Sequence, residues 1–329
     1  MRACHVHEFG PLENVRLESA PLPSLQAGEV LIRTHAFGLN FPDLLMVQGK
    51  YQERYALPFI PGRDAAGVVE KVGDGVSDLR AGDRVLCQVA KGAWAEYIAA
   101  HASRCFLMPA SATFEDAAAM VTPYHTAYIA IAARSRIRSG EIAVVSGASG
   151  SVGTALIQLL KARGIFVLAV VSSPGKVDYV TALGADGVVV AEGDDLKRDL
   201  PDRLRAAADG RQADVFFDLI GGDIFDAGLR SLASEGRLLV IGFAGGRLPE
   251  ARANYLLLKN ISVVGAPLDI HFKTDPETIR EGAMAIKELY ERGALRPPIK
   301  QVLPLDRFAD AIQAAANSSV PGRVVVTIH

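Results

Sequence analysis

At 329 residues, half of them hydrophobic and 22% charged, with a formal net charge of −2, the chain is long enough for two domains with sizeable cores. That balance gives no basic field for nucleic acid or another polyanion, and no apolar run reaches the ~18 residues of a membrane span. The opening MRACHVHEFG carries charge where a secretion signal is apolar, and Cys4, Cys87 and Cys105 are too few for a disulfide framework, so a reducing cytoplasm is the expected location.

The N-terminal third is predicted β-rich, with strands at 30–34, 67–73, 85–89 and 94–98 punctuated by Gly and Pro as in a small barrel or sandwich. Between the first two, 39–48 turns helical after Asn40-Phe41-Pro42. At Thr113 the period changes: with Asp116 three residues on, it reads as the cap of an alanine-rich helix, and a second helix is predicted over 123–133. Residues 141–171 then give strand, glycine-rich turn, helix and strand, a βαβ unit. Strands at 213–220, 236–241 and 261–264, separated by helices such as 223–232, extend a mainly parallel sheet. Helices near 276–292 and 306–316 and a last strand over 323–328 close the chain, which holds no internal repeat.

The turn Gly147-Ala148-Ser149-Gly150-Ser151-Val152-Gly153 carries the chemistry. Glycine adopts the φ values of a tight strand-to-helix turn cheaply and lets a pyrophosphate approach backbone N–H groups at a helix N-terminus. Thr154 follows Gly153 where a nucleotide-triphosphate loop needs lysine, so the spacing GxxGxxG points to a dinucleotide; the bland alternative is a glycine-rich connection in another α/β protein. An acid about 20 residues on reads a free ribose 2′-hydroxyl. Here Ser172-Ser173-Pro174-Gly175-Lys176 offers hydroxyls and a lysine instead, donors for a 2′-phosphate, which favours NADP(H). Lys176 as a plain solvated lysine is the competing reading.

With that turn, the stretches Gly38-Leu39-Asn40-Phe41-Pro42-Asp43, Pro61-Gly62-Arg63-Asp64-Ala65-Ala66-Gly67, Gly82-Asp83-Arg84-Val85 and Leu183-Gly184-Ala185-Asp186 resemble the medium-chain dehydrogenase/reductase superfamily, in its zinc-free quinone oxidoreductase (zeta-crystallin-like) branch, over essentially the whole chain. The resemblance implies an α/β protein: a GroES-like β-rich catalytic domain from 1–122 and 266–329, and a doubly wound Rossmann domain from 123–265 that binds NADPH. It also implies a homodimer joined edge to edge through the Rossmann sheets, and a cleft between the domains for NADPH and a small-molecule substrate.

Zinc-dependent relatives carry Gly-His-Glu and a lobe of four close cysteines; here Pro61-Gly62-Arg63-Asp64 stands in the first place and no cysteine cluster exists. Catalytic zinc needs three protein ligands, and His5, His7, His35, His101 and His125 lack that spacing, so no metal is expected. The implied reaction is hydride transfer from NADPH to a quinone or an α,β-unsaturated carbonyl, whose product anion is delocalised. The resemblance sets Asn40 and Tyr51 at the nicotinamide end as donors to an oxygen gaining charge, with Thr126 nearby. Asn40 reads equally as turn chemistry before Phe41-Pro42, and for Tyr51 the competing reading is packing, as a wall of the cleft. Gly150, Ser151 and Val152, with Ser149, are implied at the pyrophosphate; Ser172 and Lys176 at the 2′-phosphate; Gly242, Phe243 and Ala244 along the cofactor. Pro267, Leu268 and Arg323 are weaker candidates, and Arg323 reads first as a surface arginine beside Gly322. Ala191-Glu192 stands where some relatives place a tyrosine against the adenosine. Two rival functions remain: an enoyl-thioester reductase, and an NADPH-binding protein with little turnover.

Overall fold

The computed structural model describes residues 1–193, 195–317 and 319–328, and packing divides the chain into two units, Met1–Thr122 with Tyr290–His329 and Pro123–Leu289. In chain order the first unit holds β1 (Arg2–Val6), β2 (Val15–Ser19), β3 (Glu29–Gly38), α1 (Phe41–Val47), β4 (Asp64–Val72), β5 (Arg84–Gln88), β6 (Tyr97–His101), β7 (Cys105–Leu107) and the start of α2 (Phe114–Ile129). The second holds β8 (Ile142–Ser146), α3 (Ser151–Ala162), β9 (Phe166–Val171), α4 (Val177–Ala182), β10 (Gly187–Val190), α5 (Leu196–Ala207), β11 (Ala213–Asp218), α6 (Gly222–Ser231), β12 (Leu232–Val240), α7 (Ala253–Lys259), β13 (Ser262–Gly265), α8 (Leu268–Thr274) and most of α9 (Pro276–Glu291). The chain then returns to the first unit with β14 (Ile299–Pro304), α10 (Phe308–Ala316) and β15 (Arg323–Thr327).

The first unit is built on β3, which pairs antiparallel with β4, β6 and β15, while β5 and β7 extend the sheet beyond β4 and β14 lies parallel to β15. Its core joins residues from strand, loop and helix: Phe37 of β3, the sole tryptophan Trp94 in the loop before β6, and Phe308 at the start of α10 are all buried, with the Trp94 and Phe308 rings 4.9 Å apart. The predicted strand 94–98 is split. Cys4 N–H donates to Trp94 O and Glu96 N–H to Arg2 O, so 94–96 belongs beside β1, and only from Tyr97 does the backbone pair with β3.

The two helices predicted on either side of Pro123 are one. α2 passes through Pro123 and ends in a π-helical turn, Ala130–Ser135, closed by Arg136 at φ 49°. Proline cannot donate to the carbonyl four residues back, here that of Ala119. Arg323 Nη1 donates to that oxygen at 2.9 Å instead, and the Thr122 N–H donates to Asp64. Tertiary donors and acceptors thus replace the missing turn of the ladder. The cap at the other end is as read: Asp116 N–H donates to Thr113 Oγ1.

In the second unit six parallel strands run in the order β10-β9-β8-β11-β12-β13, which in chain sequence is 3-2-1-4-5-6, the doubly wound arrangement. β8 and β9 are apolar on both faces because helices cover both; Ala155, Leu156, Ile157, Leu159 and Leu160 of α3 are all buried. Residues 266–289, expected with the catalytic domain, group with this unit: the backbone of Gly282 on α9 approaches the Tyr128 ring so closely that a Cβ would stand 2.8 Å from it.

Candidate functional site

In the second unit the site is built at the carboxyl ends of β8, β9, β11 and β12. Gly147, at φ 60°, turns the chain out of β8, and a Cβ on Gly153 would lie 2.4 Å from Gly147 O, so helix and turn meet only through glycine. Exposed Gly150 caps α3 with no side-chain acceptor. The first-turn N–H groups, which have no intrahelical partner, therefore face outward beside half-buried Ser149, Ser151 and Val152. This cradle fits a pyrophosphate.

β9 ends at Val171, and the next residues fold back through a short 3-10 turn, Pro174–Lys176, that brings Lys176 Nζ within 3.0 Å of Ser172 Oγ. Two donors thus converge at a strand end where the segment 172–176 contains no acid. At the next strand end the Arg203 guanidinium donates to the carbonyls of Val190 and Glu192, closing β10 at the Ala191-Glu192 departure.

Gly242, Phe243 and Ala244 leave β12 over the end of β11. Gly242 N–H donates to Asp218 O and Ala244 N–H to Leu219 O. Sequence reasoning missed the brace beneath them, Asp218. This fully buried carboxylate accepts from Ser146 Oγ and the Ile220 and Gly221 N–H groups; burial pushes its pKa up, and those donors oppose the shift. Thr126 is buried in α2. Pro267 is exposed at the N-terminus of α8, and Leu268 is buried behind it.

Asn40, Tyr51 and Arg323 belong to the first unit. Asn40 caps α1, and its N–H donates to Asp43 Oδ2 at 2.8 Å, so the turn-chemistry reading holds. Its amide is also fixed: Nδ2 donates to Asp64 Oδ2 at 3.1 Å and Oδ1 accepts from Arg323 Nη2 at 2.9 Å. Arg323 is not a surface arginine. It is 2% exposed, pairs with Asp64 Oδ2 at 2.5 Å, and fits only because Gly38 has no Cβ, which would stand 2.6 Å from the guanidinium. Thr122 completes the shell of Asp64 through its N–H and Oγ1. Asp43, fully buried near Asp64, has its pKa raised to about 7, by burial first and Asp64 second. Tyr51 is half-buried, and its hydroxyl accepts from Arg63 Nη1 at 3.3 Å. Nothing at Arg63, Asp64 or Asp43 marked them as one buried charged group from sequence; Arg63 and Asp64 stood out only as the departure from Gly-His-Glu.

Among the described residues no group of three or more His, Cys, Asp or Glu could hold a metal ion, and no helix is long and apolar enough to cross a membrane. Residues 26–110 match the alcohol dehydrogenase GroES-like domain family, and residues 151–283 match the family described as zinc-binding dehydrogenase. The quinone oxidoreductase of Rattus norvegicus is 32% identical over 321 residues, covering 97% of this chain and 95% of that one. A mycobacterial protein solved as its NADPH complex superposes with TM-score 0.92 at 30% identity, over 99% of this chain and 100% of the other. The JamJ enoyl reductase superposes with TM-score 0.89 at 25% identity, over 100% of this chain and 99% of the other.

Proposed function

The chain belongs to the zinc-free quinone oxidoreductase branch of the medium-chain dehydrogenase/reductase superfamily, and we propose that it is an NADPH-dependent reductase of quinones or α,β-unsaturated carbonyls. The observation that carries the cofactor choice is the end of β9, where Lys176 and Ser172 meet at 3.0 Å without an acid. A cationic amine and a hydroxyl are donors for a dianionic 2′-phosphate, whereas an acid would repel it. NADPH, when bound, supplies a hydride.

The chain's own residues then have four tasks. The α3 N-terminus, with Ser149, Gly150, Ser151 and Val152, holds the pyrophosphate. Gly242, Phe243 and Ala244 line the cofactor, with Thr126, Pro267 and Leu268 toward its nicotinamide end. Tyr51 donates to the acceptor oxygen as it gains negative charge. Asn40 presents its amide in the orientation that Asp64 and Arg323 impose. Arg323 thus acts behind Asn40 as a positioning residue. A quinone or enone suits this site because its anion is spread over several atoms, so that hydrogen-bond donors of this kind can stabilise it. A cytoplasmic homodimer is part of the same proposal.

Lys176→Ala tests the cofactor half. An exposed charge-assisted contact contributes about 1.5–3 kcal/mol, so NADPH is expected to bind ten- to a hundredfold more weakly, with NADH affinity unchanged within twofold. Equal losses for both cofactors in calorimetric titrations would remove the phosphate role from Lys176. The likeness to an enoyl reductase favours a second reading, in which the acceptor is an enoyl thioester. Steady-state rates with 1,4-benzoquinone, 9,10-phenanthrenequinone and crotonyl-CoA separate the two, and NADPH binding without oxidation by any of them would indicate a binding protein.

A further inference from the structure

We propose that Arg63 is a second positioning residue of the reduction, in addition to Arg323: it fixes the Tyr51 hydroxyl as a donor toward the acceptor oxygen and places a permanent positive charge behind it. The proposal rests on the function above and adds a residue that the sequence reading set aside as a lost metal ligand.

The backbone that carries Arg63 is pinned on both sides. Val89 N–H donates to Arg63 O at 2.8 Å, Ala93 N–H to Gly62 O at 3.1 Å, and Trp94 N–H to Pro61 O at 3.1 Å. Gly62 sits at φ 92°, against Trp94 so closely that a Cβ would stand 2.2 Å from the indole. No other residue fits there, so the aim of the following side chain is set by the buried tryptophan. Arg63 is 4% exposed, and its guanidinium reaches Tyr51, with Nη1 3.3 Å from the hydroxyl and its central carbon 6.0 Å from the ring centroid. Tyr51 is held in turn by its own backbone, whose N–H donates to Leu45 O beyond the end of α1.

The chemistry of the pair has one direction. A guanidinium has five donors, no acceptor and a charge it keeps at every working pH. Tyr51 oxygen is therefore the acceptor in this contact, and the single hydrogen of its hydroxyl is directed away from the guanidinium. A cation at hydrogen-bond distance also makes a phenol a stronger donor, since charge drawn onto its oxygen is stabilised. Both effects grow as the acceptor becomes an anion, which is the condition for lowering a barrier and not only for binding. The reaction balances without Arg63 being consumed: hydride from NADPH, a proton from solvent, reduced acceptor and NADP⁺ as products.

The test uses a chromophoric oxyanion, 4-nitrophenolate, and its uncharged analogue nitrobenzene, titrated into the full-length chain at pH 9. Wild type is expected to bind the phenolate at least tenfold more tightly than Arg63→Met does, with nitrobenzene within twofold in both. Arg63→Lys, which keeps the charge, is expected within about threefold of wild type. Equal phenolate affinity in wild type and Arg63→Met overturns the proposal. If Arg63→Met does not fold by circular dichroism, Tyr51→Phe decides, because it keeps the ring: a weaker phenolate complex supports the pair, and an unchanged one overturns it. None of these titrations needs turnover. Failure of wild type to oxidise NADPH with any acceptor would refute the function while leaving the Arg63–Tyr51 result readable.

Discussion

Replacing Arg323 by methionine is the sharpest perturbation of the buried charged group. The side chain is fully enclosed and serves Asp64 Oδ2, Asn40 Oδ1 and Ala119 O at once. Removing one partner of a buried ion pair costs about 3–5 kcal/mol, because the other charge stays buried. The Ala119 carbonyl, which Pro123 cannot serve, adds about 1–3 kcal/mol as an orphan acceptor. Asp64 keeps the donors of Thr122 and Asn40, so the losses overlap, and about 4–6 kcal/mol is expected. Trp94 lies in the core of the first unit and is the chain's only tryptophan, so its emission in a urea titration reports that unit alone. Two second-site variants locate the origin of the loss. Asp64→Asn in the same chain removes the stranded charge and is expected to recover about 2 kcal/mol. Pro123→Ala restores a backbone donor to Ala119 and is expected to recover about 1 kcal/mol. A shift below 1 kcal/mol for Arg323→Met, or no recovery from either partner, would refute the reasoning.

Two further outcomes follow from the same geometry. The raised pKa of Asp43 means the folded chain holds a proton there that the unfolded chain releases near pH 4. Its contribution is therefore complete below that pH and lost as pH rises toward about 7. Between pH 4.5 and 7.5 wild type is expected to lose up to about 4 kcal/mol relative to Asp43→Asn, measured by urea titration at each pH; parallel pH dependences would exclude Asp43 as the titrating group. Gly153→Ala forces a Cβ to within 2.4 Å of Gly147 O, so the turn must open, at about 1–3 kcal/mol, and NADPH affinity is expected to fall. Unchanged binding by calorimetry would show that the turn is not the cradle.

What the sequence disclosed and what it hid divide along contact distance. The glycine turn, the Thr113 cap, the Asn40 turn and the meeting of Ser172 with Lys176 are settled within a few residues of chain, and each is readable from local chemistry. Arg323 is the opposite case. Its partners Asn40, Asp64 and Ala119 lie 283, 259 and 204 residues away, so beside Gly322 it has the look of any exposed arginine. The misplaced helix start at Pro123 is the same fact seen from the other side. Proline belongs at the first turn of a helix unless a distant group replaces its missing donor, and the distant group here is Arg323. Arg63 failed to register for a related reason. A departure from a metal motif reads as a loss, whereas the fold sets the guanidinium beside a tyrosine hydroxyl. The residues that aim it, Gly62 and Trp94, are separated by 32 positions and meet only in the fold. The site's polar chemistry therefore depends on a core that positions it, and substitutions at Gly62 or Gly38 are expected to act on Tyr51 and Asn40 without touching either.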